Sequence, residues 1–584
     1  MTDEFDDTAT GEAELPRRRQ LAVTWGIPDQ YGGMTAALLH RSRAFVRRSG
    51  AAVDILTFES RPDYEDVRQR LRAQGELIDG MRLRNIYEDF RAAARAPVDV
   101  PRRTGSPSRP HDEETATVAG SVRRWRRGEA EERVEHRRSD GSLAVLEEQR
   151  RGGRQITSFD RAGRPTGQWT SASAFRFAWI DDLLGADEAV VVADSKTVAR
   201  FLQRYRRPNI ALIHMVHGSH HDSRGRLTAS RRPIFENLHL WDAVVFLTAR
   251  QRAAAAALLG DTGNLHVVPN SVTLPERVPR LPRDRLHGVI VSRLSGIKRL
   301  DHALRIIAAV RELGIPVTAD IVGEGAQHAR LEAQAKGLGV AGAVRFTGYV
   351  PRAADLYARA SWTLLTSRSE GESLSLVEAM AAGCLPVAYD IRYGPAEVIA
   401  DGRNGHLVPD GDIDAAARAL VALCVLDDDA VAAARRAARR TAQQHDDEAT
   451  VARWAAVQRA AVGRAALRES LDDTALQRVR VRRLRGRLLV TARVPSRRRR
   501  ARVDVRLSTP ERTAALATMR RFGRWRFARL DRQGSEQLGG LEASDTVRTR
   551  FLVHVDDAVI AVDAGSRHPD HRSLVRRAAD RLRR

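Results

Sequence analysis

Cysteine, aromatic residues and long apolar runs are all scarce in this chain of 584 residues. Cys384 and Cys424 are the only two cysteines, too few for a disulfide framework or the usual zinc ligand set. No apolar run reaches the length of a membrane span, and no secretory signal is visible. These absences favour a cytosolic protein, and the length leaves room for about three or four domains.

Lysine is almost absent as well, since Lys196, Lys298 and Lys336 are the only three. Arginine nevertheless gives the chain a net charge of +23 and an isoelectric point near 11.1. A basic balance favours a polyanionic partner, which could be nucleic acid, the anionic inner membrane leaflet or a phosphate-rich polymer. The cations are spread along the chain and aromatics make up only 5% of it, which argues against a specific nucleic-acid module. A coding bias towards arginine would also produce much of this charge.

The most informative stretch is EGESLSLVEAMAAG, which begins at Glu370. Gly371 allows a turn after an apolar run, Ser373 is a candidate helix cap, and Gly383 ends the helix. Glu370 is therefore predicted in a loop and Glu378 about two turns inside the helix. A solvated loop carboxylate and a helix-face carboxylate would produce the same spacing.

A helix N-terminus at the carboxyl end of a parallel strand is a suitable phosphate site. Carboxylates on either side of it would accept hydrogen bonds from hydroxyl groups. The stretch therefore indicates a ligand that carries both phosphates and sugars.

Two upstream units repeat the strand, loop and helix pattern. HGVIVSRLSGIKRLDHALRIIAAVREL places Arg293 and Lys298 in a loop, where they could clamp a leaving diphosphate without a metal or simply meet solvent. VTADIVGEGAQH places Gly323 and Gly325 in the next loop, where they would allow close backbone approach, although a short Gly-x-Gly is weak evidence. The alternation from about 286 to 420 predicts a doubly wound parallel sheet.

The first half of the chain contains a similar unit and a histidine-rich loop. LAVTWGIPDQYGGMTAALLHRSRAF predicts a strand, a loop with Gly33 and a helix that starts near Met34, with either phosphate-facing amides or a simple tight turn. IALIHMVHGSHHD ends a strand in histidines, but no carboxylate or cysteine cluster accompanies them, so a metal site is disfavoured. Alternation places His214 on a different face from His217.

Residues 90 to 175 interrupt this α/β pattern. RRTGSPSRPHDEETAT predicts a flexible stretch, and the turn signals Asp140-Gly141, Gly152-Gly153 and Gly163 then divide short alternating runs. A small antiparallel β-meander is expected here.

The tail differs from the rest of the chain. A long Ala/Arg helix is predicted over 429–468, followed by a separate β-rich domain over 475–584 in which Arg497 to Arg500 form either a solvated hairpin tip or a contact for an anion. A role of this region in holding a polymer or the inner membrane surface is a hypothesis. The predicted organisation is an acidic disordered tail (1–19), a first Rossmann-like domain with the β-rich insertion (20–285), a second doubly wound domain (286–470) and the β-rich domain (475–584).

The motifs VSRL....K, DIVGEG, VRFTGYVP and EGESLSLVEAMAAGCLPVA occur in an order that resembles the nucleotide-sugar domain of retaining GT-B glycosyltransferases. That large group includes glycogen and sucrose synthases, and the match covers roughly 286 to 415. The resemblance implies an α/β fold of two doubly wound domains around a cleft. It implies that the first domain (20–285) binds the acceptor and that the second domain (286–470) binds the nucleotide sugar. Glu372 stands where the family often has an apolar residue.

The resemblance also implies roles for individual residues. Arg293 and Lys298 would bind the donor diphosphate and stabilise its departure, Glu370 would contact the transferred sugar, and Glu378 would hold the ribose hydroxyls. The further donor contacts implied are the amides around Ser373 and Leu374, together with Gly33, Met34, Gly323, Gly325 and Gly371. A histidine after a strand would face the sugar, with His217 and His220 both open as candidates.

The β-rich insertion resembles that of poly(glycerol-phosphate) and poly(ribitol-phosphate) α-glycosyltransferases, which decorate the teichoic acids of cell walls. Relatives that glycosylate serine-rich adhesins share it. In these families it supports oligomer contacts or acceptor binding, and a phosphate-rich acceptor would account for the positive charge.

Together these patterns predict a retaining glycosyltransferase. It would move a hexose or N-acetylhexosamine from a UDP-sugar, such as UDP-glucose or UDP-N-acetylglucosamine, to a hydroxyl of a polyol-phosphate polymer, without a metal or other cofactor. The DGD triplet at Asp410 to Asp412 is interpreted as a helix cap. Alternatives are a serine-rich protein or small-metabolite acceptor, or a non-catalytic polyanion-binding protein.

Overall fold

The computed structural model describes residues 14–99, 110–127, 129–150, 153–222, 225–259, 263–274 and 283–471, followed by eight strands between 477 and 567. Most of the predicted acidic tail and the arginine run from Arg497 to Arg500 lie outside the described residues.

The chain begins with parallel strands that alternate with helices. Asn85 illustrates why the elements change where they do, because its side chain accepts the backbone N–H groups of Tyr87 and Glu88 and so caps a helix directly after a strand. The elements are β1 (Arg19–Val23), α1 (Gly33–Ser49), β2 (Val53–Thr57), α2 (Tyr64–Ala73), β3 (Met81–Asn85) and α3 (Ile86–Ala92).

An antiparallel sheet of six strands follows, in which each strand pairs with the next. The strands are β4 (Glu113–Thr117), β5 (Gly120–Arg127), β6 (Ala130–Arg138), β7 (Leu143–Arg150), β8 (Gly153–Phe159) and β9 (Pro165–Trp169). The predicted β-rich insertion is confirmed. The prediction of a flexible stretch is wrong at its end, because these residues form β4. Glu114 of β4 lies opposite Arg123 of β5, and Nε of Arg123 lies 2.8 Å from Oε1 of Glu114.

The chain then returns to the first sheet through β10 (Ala189–Ala193), β11 (Ile210–Val216), β12 (Ala243–Phe246) and β13 (Leu265–Val267). The helices of this part are α4 (Ala172–Leu184), α5 (Lys196–Leu202), α6 (Arg232–Phe235) and α7 (Ala249–Leu259). The strand order is β13-β12-β11-β10-β1-β2-β3, with parallel pairing throughout. The order reverses between β1 and β10, and such a switch point is where doubly wound sheets open a crevice.

A second parallel sheet has the order β16-β15-β14-β17-β18-β19. Its strands are β14 (His287–Val291), β15 (Thr318–Val322), β16 (Val344–Gly348), β17 (Trp362–Leu365), β18 (Leu385–Asp390) and β19 (His406–Pro409). The helices are α8 (Leu300–Glu312), α9 (His328–Gly337), α10 (Leu374–Ala381), α11 (Pro395–Val398), α12 (Ile413–Val425) and α13 (Asp428–Gln443). The order reverses between β14 and β17. Asp412 caps α12 by accepting the N–H of Ala415 at 2.8 Å, which agrees with the interpretation of the DGD triplet.

The predicted single helix over 429–468 is wrong, because the chain breaks between α13 and α14 (Asp447–Leu471). Asp446 accepts the N–H of Ala449 at 2.7 Å and starts the new helix. Trp454 of α14 packs edge to face on Phe45 of α1, with ring centroids 6.0 Å apart. The end of the predicted 286–470 domain therefore packs against the first sheet, and the chain crosses between the two domains twice.

Beyond α14 the described residues form two antiparallel sheets of four strands, ordered β20-β21-β25-β24 and β23-β22-β26-β27. The strands are β20 (Gln477–Leu484), β21 (Arg487–Arg493), β22 (Arg502–Ser508), β23 (Thr513–Thr518), β24 (Arg520–Phe522), β25 (Trp525–Leu530), β26 (Val547–Val555) and β27 (Ala558–Arg567). The predicted β-rich C-terminal region is confirmed. Among the described helices, none combines the length and the apolar character that crossing a membrane would require.

Candidate functional site

The switch points of the two parallel sheets face each other across the cleft between the domains. The loop after β1 ends at Gly32 and Gly33, and a Cβ atom added at Gly32 would lie 2.9 Å from Nη2 of Arg293, which follows β14. A Cβ atom at Gly33 would lie 3.8 Å from Cδ1 of Leu374, the first residue of α10. The structure thus brings together three of the predicted donor contacts. Met34, in the first turn of α1, is half-buried beside them.

Deeper in the same cleft, the backbones of the two domains contact each other at Gly371 and at His217 and Gly218. A Cβ atom at Gly371 would lie only 2.4 Å from the carbonyl oxygen of His217 and 3.0 Å from Cα of Gly218. Position 371 therefore requires glycine for a steric reason, since real Cβ atoms do not approach backbone atoms so closely. The loop that carries Glu370 consequently touches the histidine-rich loop.

Lys298 and Glu370 form an ion pair in the second domain, with Nζ donating to Oε1 at 2.6 Å. Their side chains are 26% and 12% exposed. The loop of Glu370 is held in place by its own backbone, which exchanges hydrogen bonds of 3.1 Å with Arg392 and Tyr393. An ammonium group has three N–H donors, so Lys298 can also bind a second anion.

Gly323 and Gly325 have φ values of +134° and +155°, which L side chains rarely adopt. Cβ atoms at these positions would lie 2.1 Å and 2.3 Å from the carbonyl oxygens of Ser292 and Leu294. The two glycines therefore let the loop after β15 pack against the loop that carries Arg293. Their predicted contact with the donor stays a prediction.

Helix α10 differs from the prediction in two details. Ser373 is its N-cap residue, but its side chain makes no capping hydrogen bond and lies 3.1 Å from the hydroxyl of Ser375. Glu378 is the fifth residue of this eight-residue helix and so lies just over one turn inside it. Burial raises the pKa of Glu378, and the charge of His40 acts weakly in the opposite direction.

The histidines of the loop after β11 occupy different environments. His214 belongs to the core of the first domain, where its Nδ1 lies 2.9 Å from the carbonyl oxygen of Ala193. Burial lowers the pKa of His214 to about 4. Within the described residues, no group of three or more His, Cys, Asp or Glu side chains could hold a metal ion.

His217 is held by a buried carboxylate. Its Nε2 lies 2.7 Å from Oδ1 of Asp194, the residue directly after β10, and Arg41 of α1 donates two hydrogen bonds of 2.8 Å to the same carboxylate. Burial alone would raise the pKa of Asp194, but the charge of Arg41 and the hydrogen bonds from His217 and Arg41 outweigh it and lower the pKa to about 2.

His220 has no such partner. It is fully buried, and its ring stacks on Phe235 at 4.8 Å and on Tyr393 at 5.7 Å. Among the residues that the structure describes, neither of its ring nitrogens has a hydrogen-bond partner. Burial lowers the pKa of His220 to about 3. The two histidine candidates therefore differ, since only His217 is oriented by an acid.

Glu372 connects the donor loop to both crossings between the domains. Its carboxylate, 3% exposed, accepts the N–H of Asn270 at 2.7 Å and lies 3.3 Å from Nδ1 of His445. Burial raises the pKa of Glu372 to about 8. The sequence signal for the contacts of Glu372 was that the family often has an apolar residue at this position.

Sequence reasoning missed Asp194 and Arg41, although both lie beneath the cleft. A carboxylate directly after the apolar run AVVVA, at a strand end, was the available signal for Asp194. No sequence signal pointed to Arg41, because arginine occurs throughout the chain.

Comparisons with known proteins agree with this geometry. Residues 277–442 match the family model "Glycosyl transferases group 1". The chain carries a glycosyl transferases group 1 domain. That domain contains the second parallel sheet with Arg293, Lys298 and Glu370, so the predicted family resemblance is confirmed.

Two relatives are similar over longer stretches that reach beyond the group 1 domain. The poly(glycerol-phosphate) alpha-glucosyltransferase of Bacillus subtilis is 25% identical over 43% of this chain, and the match spans 38% of the relative's own length. The poly(ribitol-phosphate) alpha-N-acetylglucosaminyltransferase of Staphylococcus aureus is 21% identical over 67% of this chain and 90% of its own length.

Among solved structures, the crystal structure of TarM superposes with a TM-score of 0.62 at 18% identity, covering 76% of this chain and 99% of TarM. The pneumococcal O-GlcNAc transferase GtfA superposes with a TM-score of 0.56 at 18% identity, over 76% of this chain and 99% of GtfA. At this identity the likeness concerns the fold alone. Together with the group 1 domain it confirms the predicted GT-B fold.

Proposed function

We propose that this protein is a retaining glycosyltransferase that transfers a hexose or N-acetylhexosamine from a UDP-sugar to a hydroxyl of a polyol-phosphate acceptor. The observation that carries the proposal is the Lys298–Glu370 pair, which lies beside the N-terminus of α10 in the cleft between two doubly wound domains. A cation, a carboxylate and free helix amides within one loop system suit a ligand made of a diphosphate and a sugar.

In the proposed reaction, the bond between the sugar's anomeric carbon and the diphosphate oxygen breaks while the acceptor hydroxyl attacks from the same face. The proton of that hydroxyl passes to the departing diphosphate oxygen as the new glycosidic bond forms. Arg293 and Lys298 stabilise the negative charge that develops on the departing diphosphate, which is the electrostatic contribution with the largest expected effect. Glu370 orients the sugar hydroxyls, and Glu378 accepts hydrogen bonds from the ribose.

His217 is the favoured histidine for a contact with the transferred sugar. Its ring is fixed by Asp194, whereas the ring of His220 is stacked between aromatic groups and stays neutral. A fixed ring loses little conformational freedom when it binds a hydroxyl group, so the geometry supports His217.

The acceptor assignment draws on the relatives, two of which are named for poly(glycerol-phosphate) and poly(ribitol-phosphate). The net charge of +23 is consistent with such a polyanion. A crystal structure of a variant of S. aureus TarM is a complex with UDP, which supports UDP as the donor nucleotide. Contact with the membrane surface and an oligomeric state remain hypotheses.

The test uses the full-length protein with a panel of UDP- and GDP-sugars and a glycerol-phosphate oligomer as acceptor. We expect turnover of UDP-glucose or UDP-N-acetylglucosamine, and a fall in kcat of about 100-fold or more in Lys298→Ala and in Glu370→Ala. Exchange of the exposed Lys336 to Ala serves as the control for loss of a lysine and should leave kcat unchanged.

Absence of turnover and of thermal stabilisation with every donor in the panel would contradict the proposal. Transfer to a serine-rich peptide in place of the oligomer would keep the donor chemistry but replace the acceptor. Salt-sensitive polyanion binding that survives both active-site changes, without turnover, would indicate a binding protein.

A further inference from the structure

One half-buried arginine at the cleft, Arg231, differs from the arginines of this chain that pair with carboxylates. Arg231 directly precedes α6 and is half-buried, yet within the described residues its guanidinium makes neither a hydrogen bond nor an ion pair. Burial lowers the pKa of Arg231 to about 10, and no carboxylate among the described residues compensates its charge. By contrast, the buried Arg41 forms two hydrogen bonds with Asp194.

An unpaired cation that is partly removed from water is unfavourable unless an anion joins it. The protein itself supplies carboxylates to several of its partly buried arginines, as Arg68 with Glu88 illustrates. Arg231 is therefore better explained as a group whose partner is a ligand.

The position of Arg231 connects it to the proposed site. Its Nη2 would lie 3.1 Å from a Cβ atom at Gly218, the residue whose Cα meets the Gly371 position of the other domain. The guanidinium thus lies against Gly218 of the first domain, where the histidine-rich loop contacts the loop that carries Glu370.

Two further observations indicate a polar ligand here. The charge of Arg231 adds to burial in lowering the pKa of His220, so the cation lies near this histidine. His220 is fully buried, and neither of its ring nitrogens has a partner in the described part of the chain. A second cation, the exposed Arg392 of the donor domain, flanks the same loop, since its Nη1 would lie 3.0 Å from a Cβ atom at Gly225.

We propose that Arg231 binds a phosphate group of the acceptor and so holds the neighbouring hydroxyl against the transferred sugar. This inference rests on the proposed transferase function and adds a phosphate subsite on the acceptor side of the cleft. The planar guanidinium suits a phosphate because it offers two parallel N–H donors to two oxygens. The shared chemistry is a phosphate ester, which a polymer or a small phosphorylated metabolite could supply.

The test compares acceptors that differ only in phosphate. With the donor that the wild type turns over, kinetics are measured with glycerol 3-phosphate, a glycerol-phosphate oligomer and glycerol. In Arg231→Gln we expect KM for both phosphorylated acceptors to rise about 10- to 100-fold, as for loss of one charge-assisted contact. Transfer to glycerol and hydrolysis of the donor should stay unchanged, and Arg231→Lys should recover part of the loss.

Arg200→Gln, an exposed arginine on α5, is the matched control and should behave as wild type with every acceptor. A larger effect on the oligomer than on glycerol 3-phosphate would identify the polymer as the source of the phosphate, and the reverse would identify a small metabolite. An equal rise in KM for glycerol, or no rise with any phosphorylated acceptor, would overturn the inference.

Failure of the proposed function would give a different result, namely no turnover of any donor by the wild type. If the wild type turns over no donor, titration of the wild type and Arg231→Gln with glycerol 3-phosphate still decides whether the subsite exists, because only the wild type should bind. If Arg231→Gln does not fold, Arg231→Lys provides the kinetic comparison. A severalfold rise in KM confined to phosphorylated acceptors supports the inference, and an equal rise for glycerol overturns it.

Discussion

The two parallel sheets share a topology but use the charges at their switch points differently. In the first domain, the carboxylate after β10 is buried and satisfied by Arg41 and His217. In the second domain, Arg293 is exposed without a partner among the described residues, and Lys298 keeps one quarter of its side chain in solvent. The first arrangement fixes a side chain, whereas the second leaves cations accessible to a ligand. One fold can thus serve stability at one crevice and binding at the other.

The largest expected effect is a loss of stability when the buried carboxylate of the first domain is removed. Asp194→Ala leaves the buried Arg41 without its anion, so we expect the free energy of unfolding to fall by about 3–5 kcal/mol. Urea denaturation measures it. Lys298→Ala removes a partly solvated pair and should change the unfolding free energy by less than about 1 kcal/mol. Similar losses in the two variants would refute the division between the crevices.

The next prediction concerns the contact between the domains. Gly371→Ala places a Cβ atom 2.4 Å from the carbonyl oxygen of His217, so the two loops must separate. A misplacement of this size is expected to lower kcat about 100-fold. The matched control is Gly337→Ala at the end of α9, where a Cβ atom meets nothing within 4 Å and kcat should be unchanged. A folded Gly371→Ala protein with wild-type kcat would contradict the closed cleft.

The third prediction concerns the pH dependence of stability at the crossings between the domains. Burial raises the pKa of Glu372 from 4.5 to about 8, so the folded protein keeps a proton that the unfolded chain releases between these values. The stability from Glu372 is therefore complete below pH 4.5 and is lost as the pH rises towards 8. Glu372→Gln, which stays neutral, should gain unfolding free energy relative to wild type by at most about 1.4 kcal/mol per pH unit.

Urea denaturation at several pH values between 5 and 8 checks this slope. Glu312→Gln, at an exposed position of α8, is the control and should show a constant difference from wild type. A constant difference for Glu372→Gln as well would show that the carboxylate is already ionised in the folded protein. Glu397, Arg453 and His445 also face this carboxylate. Glu397 raises the pKa of Glu372 and Arg453 lowers it, so these two charges move the pH range over which the difference grows.

Local patterns predicted the strand, loop and helix units well because each depends on neighbouring residues. Apolar runs of strand length gave the parallel strands, and turn residues such as Gly163, with φ of +74°, marked the β-insertion. The break at Asp446 was missed because alanine and arginine favour helix on both sides of it. Only the capping geometry and the return of α14 to the first sheet reveal that boundary.

The sequence by itself determined two doubly wound domains, a β-rich insertion and tail, and the positions of cations and carboxylates in loops at strand ends. Each of these follows from short-range periodicity and turn chemistry. The tertiary structure alone decided which of those side chains meet: Lys298 with Glu370, His217 with Asp194, and Glu372 with Asn270 and His445. These partners are distant in the chain. Lys298 meets Glu370, and His217 meets Asp194, because each pair follows two neighbouring strands of the same parallel sheet. Glu372 meets Asn270 and His445 because the chain crosses there between the two domains.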